Sequence, residues 1–297
     1  MTQTTDAENR SGIINAISAY FLWGFAPIYF KLINTISPGE ILIHRILWSS
    51  LLLLVIIMIT RKWHKFTSIL KQPKLILKLT VSASLLAVNW FLFIWAINNN
   101  HLLDASLGYF INPLFNVALG MLFLGERLRK WQKFAVILAI IGVLIQLVIL
   151  GSLPIISLAL ACSFGLYGLL RKKMHLDSFI GLLVESLMML PIALAFWLFF
   201  VSSDTSDMFN NGWGLNITLM MAGVVTTAPL LCFTAAAKRL TLASLGFFQY
   251  IGPSIMFVLA TFFYQETIQP SKMLTFAFIW LALIIYSIDS LKARKAR

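Results

Sequence analysis

Ten long apolar runs divide this chain, and they restrict it to one class of fold. The runs are 12–33, 38–60, 75–98, 102–124, 131–150, 153–171, 178–200, 213–237, 243–264 and 272–291. An α-helix needs about 20 residues to cross a bilayer, and each run is close to that length. Only helices and closed barrels satisfy their backbone groups in lipid, and barrel strands are shorter and alternate polar with apolar residues. The sequence therefore predicts an all-α integral membrane protein with ten transmembrane helices.

Composition agrees with this fold and argues against several other classes. Of the 297 residues, 60% are hydrophobic and 11% are charged, which is too apolar for a soluble domain. The net charge of +12 does not indicate nucleic-acid binding, because the basic residues form short clusters between apolar runs. Cys162 and Cys232 each stand alone in an apolar run, and no His pair has ligand spacing. We predict no disulfide, metal site or cofactor, and Met1–Ser11 does not resemble a cleavable signal.

The distribution of positive charge predicts the orientation in the membrane. With the N-terminus in the cytoplasm, 20 of the 23 Lys and Arg residues fall in cytoplasmic segments, and only Lys272 falls in an external one. Lys31 and Arg45 lie within spans or at their ends. The bias predicts that both termini are cytoplasmic, with an N-terminal tail at 1–11 and a basic tail at 292–297.

An internal repeat divides the chain into two halves. The sequence Ala-Ser-Leu-Gly at 105–108 recurs at 243–246, which is 138 residues later. In each copy a Pro follows, and a Glu comes 13 residues after it: Pro113 and Glu126, then Pro253 and Glu266. We therefore expect two five-helix repeats, at 12–150 and 151–291, separated at Gly151–Pro154. Because five is odd, the second half is inverted relative to the first, an arrangement typical of transporters with a site between the halves.

Three classes of function remain after this step. The first is a secondary carrier that works by alternating access, and the second is a channel or membrane scaffold. A channel should repeat polar or charged residues at one depth, and such rings are not evident. The third is an integral membrane enzyme, which needs a nucleophile and base or a cluster of acids and His that the sequence does not show. An ATP-driven pump is excluded within this chain, because it has no P-loop.

Several segments resemble the RarD-type members of the EamA family, in the drug/metabolite transporter superfamily. They are Ala19–Gly24, Glu40–Arg45, Asn89–Ala96, Ala105–Pro113, Phe123–Arg127 and Leu245–Pro253. The resemblance spans nearly the whole chain. It implies an inner-membrane carrier with a 5+5 inverted repeat and a cavity lined by both halves. It also implies export of amino acids, drugs or other small metabolites, without identifying a substrate.

Two ionisable residues at membrane depth are the first candidates for a substrate site. Arg45 lies about 10 Å inside the outer end of the second span, and Glu185 lies at a similar depth from the inner end of the seventh. They are 140 residues apart, so they occupy matching places in inverted halves, on opposite sides of the midplane. Arg45 is predicted to orient an anionic group such as a carboxylate, and Glu185 to bind an amine or carry a proton. The alternative is that each pairs with polar groups between helices.

Polar and aromatic residues at mid-depth are the other candidates for the cavity. They are Trp23, Asn89, Trp90, Tyr109, Asn112, Gln249 and Tyr250. Such a set supplies apolar walls with a few hydrogen-bonding groups, as a small-molecule pocket requires. Pro113 and Pro253 free carbonyls in the preceding turns and predict helix breaks that would permit gating.

Two further predictions concern structure. Glu126 and Glu266 are predicted to be structural, for example by capping the helix that follows each of them. Ala135 and Ala139 form a small-xxx-small pair on the fifth span. A monomer is predicted, with a homodimer that forms through this small-residue contact as the alternative. The expected partners are a small-molecule substrate and the lipid bilayer.

Overall fold

The computed structural model describes residues 6–99, 102–150, 155–200, 208–263, 265 and 270–295. The helices are α1 Asp6–Leu32, α2 Pro38–Ile59, α3 Trp63–Leu70, α4 Pro73–Asn98, α5 Leu102–Leu124, α6 Lys130–Leu150, α7 Ile155–Met174, α8 Ser178–Phe200, α9 Trp213–Arg239, α10 Leu242–Gln249, α11 Ile251–Val258 and α12 Pro270–Lys295. A π-helical turn over Leu259–Phe263 continues α11.

Within the described residues, ten helical units are long and apolar enough to cross a membrane, when α10, α11 and the π-helical turn count as one. This confirms the predicted number of spans. Because ten is even, the start of α1 and the end of α12 lie on one side of the membrane, called here the terminal side, and the other is the far side. The sequence analysis did not predict α3, whose buried Ile69 packs beside Leu79 and Met174. It also began the first span at residue 12, whereas α1 begins at Asp6.

The two halves of the chain pack mainly against each other. Helix α1 packs on α9 and α11, α2 on α8 and α9, α4 on α7 and α8, α5 on α7 and α10, and α6 on α12. In the predicted repeat α1 corresponds to α7, α2 to α8, α4 to α9, α5 to α10 and α11, and α6 to α12. Exchanging these counterparts turns the α1–α9 contact into α7–α4 and the α1–α11 contact into α7–α5. The principal contacts between the halves are therefore unchanged by the exchange.

The two copies of the repeated stretch cross each other at the centre of the molecule. A Cβ atom on Gly246 would lie 2.6 Å from the carbonyl oxygen of Pro113 and 3.2 Å from Cβ of Asn116, so only glycine allows this approach. The Tyr250 hydroxyl donates a hydrogen bond to the Phe110 carbonyl at 3.1 Å. The α5 and α10 backbones are thereby held in direct contact.

The two prolines behave differently. The chain breaks between α10 and α11 at Tyr250, three residues before Pro253, whereas α5 runs without interruption through Pro113. The Tyr250 hydroxyl donates to the Phe110 carbonyl in the turn before Pro113, and Gly246 packs on that proline. These contacts support the turn before Pro113 from the other half of the chain.

Polar contacts join the helix ends on the terminal side. Lys172 near the end of α7 donates to the carbonyls of Ala237 and Leu240 at the end of α9. In return, Lys238 of α9 donates to the carbonyl of Leu176, just after α7. Lys172 therefore binds carbonyls at the end of α9 and offsets the negative end of that helix dipole, and Lys238 joins α9 to the turn after α7.

A salt bridge joins two turns on the same side. The ammonium of Lys62 lies 3.4 Å from the carboxylate of Asp177, with side chains 35% and 30% exposed. Burial alone would raise the pKa of Asp177, but the N–H of Phe179 and the charge of Lys62 together lower the pKa of this carboxyl below its ordinary value. The bridge consequently keeps its charge as the pH falls into the mildly acidic range.

Glu126 corrects one prediction from the sequence. Gly125 has φ of 63°, a left-handed conformation that ends α5 and turns the chain back. The Glu126 carboxylate then accepts hydrogen bonds from the N–H groups of Leu242, at 2.7 Å, and Ala243, at 3.0 Å. It caps α10, in the other half of the chain, and not the following helix α6. The matching Glu266 lies outside the described residues.

Candidate functional site

Arg45 projects from α2 at a depth of about 10 Å from the far-side end of that helix. The helix begins at Pro38, after Ser37, whose hydroxyl accepts a hydrogen bond from the N–H of Glu40 and so fixes the start of α2. The Arg45 Nε atom donates to the Thr226 hydroxyl on α9 at 2.9 Å. Its Cζ atom lies 4.6 Å from the ring centroid of Trp90 on α4. Two helices other than its own therefore hold the guanidinium in place.

Aromatic side chains complete the surroundings of this guanidinium. The Phe30 ring centroid is 5.8 Å from Cζ of Arg45, and the phenols of Tyr29 and Tyr109 interact with it electrostatically. Tyr109 is 39% exposed and packs edge to face on Phe93. We name Tyr29, Phe30, Arg45, Trp90, Tyr109 and Thr226 the Arg45 cluster. It joins helices α1, α2, α4, α5 and α9, from both halves of the chain.

The charge of Arg45 is not neutralised by the described part of the chain. Among the Asp and Glu residues whose side chains the structure describes, none has an oxygen within 4.0 Å of the Arg45 nitrogens. The side chain is also partly exposed. Exposed Leu51, Val55, Met58 and Ile59 mark the lipid-facing side of α2, which lies on average about 95° around the helix from Arg45. Because charges at membrane depth face the bundle interior or a water-filled cavity, the exposed part of Arg45 indicates a cleft.

A small cavity adjoins the Arg45 cluster. Its volume is about 10 Å³, and it is lined by Trp90 and Thr226 from the cluster, by the hydroxyl residues Ser49, Ser186 and Thr227, and by the apolar residues Ile46, Leu182, Met189 and Leu230. The Thr227 hydroxyl is buried and has no hydrogen-bond partner among the described residues. A cavity of about 10 Å³ is about the size of one water molecule, for which this hydroxyl is a polar contact.

Glu185 lies elsewhere and is already paired. One carboxylate oxygen is 3.4 Å from the Arg171 guanidinium and accepts a hydrogen bond from Ser82 at 2.6 Å. The other accepts from Tyr167 at 3.4 Å. Glu185 is 0% exposed and Arg171 is 2% exposed, so the ion pair is fully buried. Glu185 thus joins α4, α7 and α8 in an arrangement that matches the structural alternative for this residue.

Arg171 was missed by the sequence analysis, which assigned it to a cytoplasmic segment. It belongs to the basic run Arg171-Lys172-Lys173 near the end of α7, and such runs normally lie at the membrane surface. The available signal was the short turn between α7 and α8. Side chains on either side of a tight helical hairpin lie at similar depth, and the long arginine side chain spans the remaining distance to Glu185.

Trp23 and Asn89 lie apart from the Arg45 cluster. Trp23 packs in an aromatic layer, with ring centroids 5.6 Å from Tyr20, 5.8 Å from Phe164 and 5.9 Å from Phe233. Asn89 donates to the Leu160 carbonyl at 2.9 Å and to the Ser163 hydroxyl at 3.0 Å, which ties α4 to α7.

Asn112 and Gln249 belong to an amide cluster at the central crossing. The Asn116 amide donates to the side-chain oxygens of both residues at 3.2 Å. The three are buried, as is Tyr250. Asn116 was not predicted, although it follows Asn112 by four residues, which is one helical turn. Of the predicted cavity residues, the structure brings Arg45, Trp90 and Tyr109 together, and it places Asn112, Gln249 and Tyr250 in the contact between the halves.

Comparisons with known proteins establish the family. The model of the EamA-like transporter family matches residues 10–148. An "Uncharacterized transporter" of Vibrio cholerae is 57% identical over 100% of this chain and 98% of its own length. The "Protein RarD" of Escherichia coli K12 is 53% identical over 97% of both chains, and the "Uncharacterized transporter YojE" of Bacillus subtilis is 41% identical over 98% of both.

The fold has a counterpart among solved structures. One crystal structure superposes with a TM-score of 0.74 over 94% of this chain and 98% of its own, at 16% sequence identity. Two of these three relatives are named as transporters and none is named as an enzyme, in agreement with the sequence-based prediction. The chain is a multi-pass membrane protein and belongs to the EamA-like transporter family, as one of its RarD-type members.

Proposed function

We propose that the protein is a secondary carrier that moves a small organic solute by alternating access, with the Arg45 cluster as the solute site. The observation behind this proposal is a guanidinium about 10 Å deep in the membrane that meets no carboxylate of the described chain. A buried or half-buried charge without a counterion is costly, so its retention points to a ligand that supplies one.

The packing of the two halves is what alternating access needs. The exchange of counterpart helices leaves the principal contacts between the halves unchanged, as an inverted 5+5 repeat predicts. The Lys172 and Lys238 contacts and the Glu126 cap join helix ends on the terminal side. We infer that this conformation opens to the far side, where the exposed Tyr109 and the partly exposed Arg45 lie. Export is the proposed direction, from the resemblance to exporters.

Counterflow in proteoliposomes tests carrier activity. Vesicles are loaded with an unlabelled amino acid, amphenicol or small organic acid, and uptake of the labelled form is followed. We expect one class to accumulate above equilibrium, and Arg45→Gln to abolish this accumulation without changing the melting temperature of the protein. Lys65→Gln, which removes an exposed charge on α3, is the control and should transport normally. Failure of every compound to accumulate in wild-type protein that melts sharply would argue against a carrier.

We further propose that the terminal side is cytoplasmic, because 20 of the 23 Lys and Arg residues are expected on that side. The resemblance to RarD-type carriers supports the cell's inner membrane as the location. In a variant that lacks Cys162 and Cys232, a cysteine at Gly214 should react with an impermeant maleimide in intact cells. A Cβ atom there meets no other atom within 4 Å. A cysteine at the exposed Lys65 should react only after the membrane is opened. The reverse labelling pattern would invert the orientation.

A further inference from the structure

The Arg45 guanidinium has one unoccupied edge. Its Nε atom is bound to the Thr226 hydroxyl at 2.9 Å, and one face is covered by Trp90 at 4.6 Å. Neither Nη atom makes a hydrogen bond within the described ranges. The two Nη groups form a planar fork, which matches the two oxygens of a carboxylate. The site is therefore prepared for a ligand that presents two oxygens in one plane.

The charges around this fork select the net charge of the ligand. Glu185 is neutralised by Arg171 on the terminal-side half. Glu40, five residues before Arg45, lies about 140° around α2 and is buried beside His44. The Arg45 cluster itself contains one cation and no carboxylate. One negative charge balances it, whereas a second positive charge on the ligand would be repelled by the guanidinium.

The aromatic side chains that line the site determine which organic group the ligand can carry. Phe30, Trp90 and Tyr109 surround the guanidinium, and Phe93 lies against Tyr109. Aromatic walls favour a flat apolar group, and the Tyr109 hydroxyl offers an additional polar contact.

On the basis of the proposed carrier function, we infer that the solute is an organic monoanion, namely a carboxylate joined to an aromatic or apolar body. Amines are excluded by the single positive charge of the site. Zwitterionic amino acids bind weakly, because the cluster provides no acid for their ammonium group. Phosphate esters with two negative charges are disfavoured, because the cluster provides no second cation.

A matched series of ligands tests this inference with the full-length protein in detergent. Labelled 3-phenylpropionate is measured by equilibrium dialysis, and 3-phenylpropanamide, phenylalanine, 2-phenylethylamine and phenyl phosphate are used as competitors. The competitors keep a phenyl ring while the charge changes. We expect saturable binding of 3-phenylpropionate and at least tenfold weaker competition by each of the others. No saturable binding by folded wild-type protein, or equal competition by the amine or the amino acid, would overturn the inference.

Variants of Arg45 and Thr226 test whether the ligand binds to the two Nη groups of Arg45. Hydrogen bonds to charged groups contribute about 1.5–3 kcal/mol, so Arg45→Gln should weaken 3-phenylpropionate binding about 10- to 100-fold. Arg45→Lys keeps the charge but not the fork, and Thr226→Val releases Nε, so both should lie between wild type and Arg45→Gln. If Arg45→Gln does not fold, the binding measured with Arg45→Lys and Thr226→Val still tests the assignment. Lys65→Gln should bind like wild type, and unchanged binding in all the Arg45 variants would contradict the assignment.

The outcomes separate this inference from the carrier proposal. Arg45-dependent binding of 3-phenylpropionate without counterflow would retain the anion site and reject the carrier. Counterflow of another class of compound, unaffected by Arg45→Gln, would retain the carrier and reject the anion site.

Discussion

Replacing Glu185 with Leu is expected to destabilise the folded protein by about 3–5 kcal/mol, because the substitution leaves Arg171 charged and buried without a partner. Arg171 is 2% exposed and has the Glu185 carboxylate 3.4 Å away. Arg171→Met should cost a similar amount, since it leaves Glu185 buried with only Ser82 and Tyr167. The free energy of unfolding, or the melting temperature in detergent, measures both effects.

The double variant should recover much of this loss. With both charges replaced by apolar side chains of similar volume, no buried charge remains unpaired, and such replacements are often close to neutral. The Lys62–Asp177 bridge is the matched control, because it has the same 3.4 Å separation but side chains 35% and 30% exposed. Breaking it should cost at most about 1 kcal/mol. Additive losses in the Arg171 and Glu185 double variant would show that the two residues do not act as a pair.

The same variants test the predicted proton role of Glu185. If the carboxylate only joins helices, the double variant should transport with the same response to a pH gradient as wild type. Loss of that response in protein that melts normally would support a role for Glu185 in coupling transport to protons.

Replacing Glu126 with Ala is expected to cost about 2–4 kcal/mol, because two backbone N–H groups at the start of α10 would lose a charged acceptor. Glu126 is 9% exposed, and water cannot readily replace its carboxylate. Glu126→Gln keeps an acceptor oxygen and should cost less than half as much. Lys65→Ala is the control, because Lys65 is an exposed charged residue of α3, and it should change stability by about 0.5 kcal/mol or less. An equal effect of Glu126→Ala and Lys65→Ala would show that the cap does not stabilise the crossing.

The sequence predicted the parts of this molecule that depend on one helix at a time. Ten spans follow from the length and polarity of the apolar runs, since each helix must satisfy its own backbone in lipid. The depth of Arg45 follows from its distance to the start of one helix. Helix α3 was not predicted, because its eight residues include lysine and histidine and resemble a linker.

The parts that depend on contact between distant helices could not be predicted in this way. Thr226 and Phe30 reach Arg45 only because α1, α2 and α9 meet, and nothing within either local sequence indicates that meeting. Glu126 was expected to cap its neighbour and instead caps a helix 116 residues away. Arg171 was assigned to the surface because its two neighbours are lysines, although it turns inward to Glu185.

The interleaved packing of the two halves has a consequence for synthesis of the protein. Helices α1, α2, α4 and α5 find their principal partners among α7 to α11, so the first half emerges from the ribosome before most of those partners exist. At roughly 5–20 residues per second, translation of the remaining 140 or so residues takes about 7–28 s. During that interval Arg45 and the apolar faces of the early helices must be held by lipid, by the insertion machinery or by one another. Premature termination after α6 would therefore leave helices that are inserted but lack their partners, a natural target for quality-control proteases.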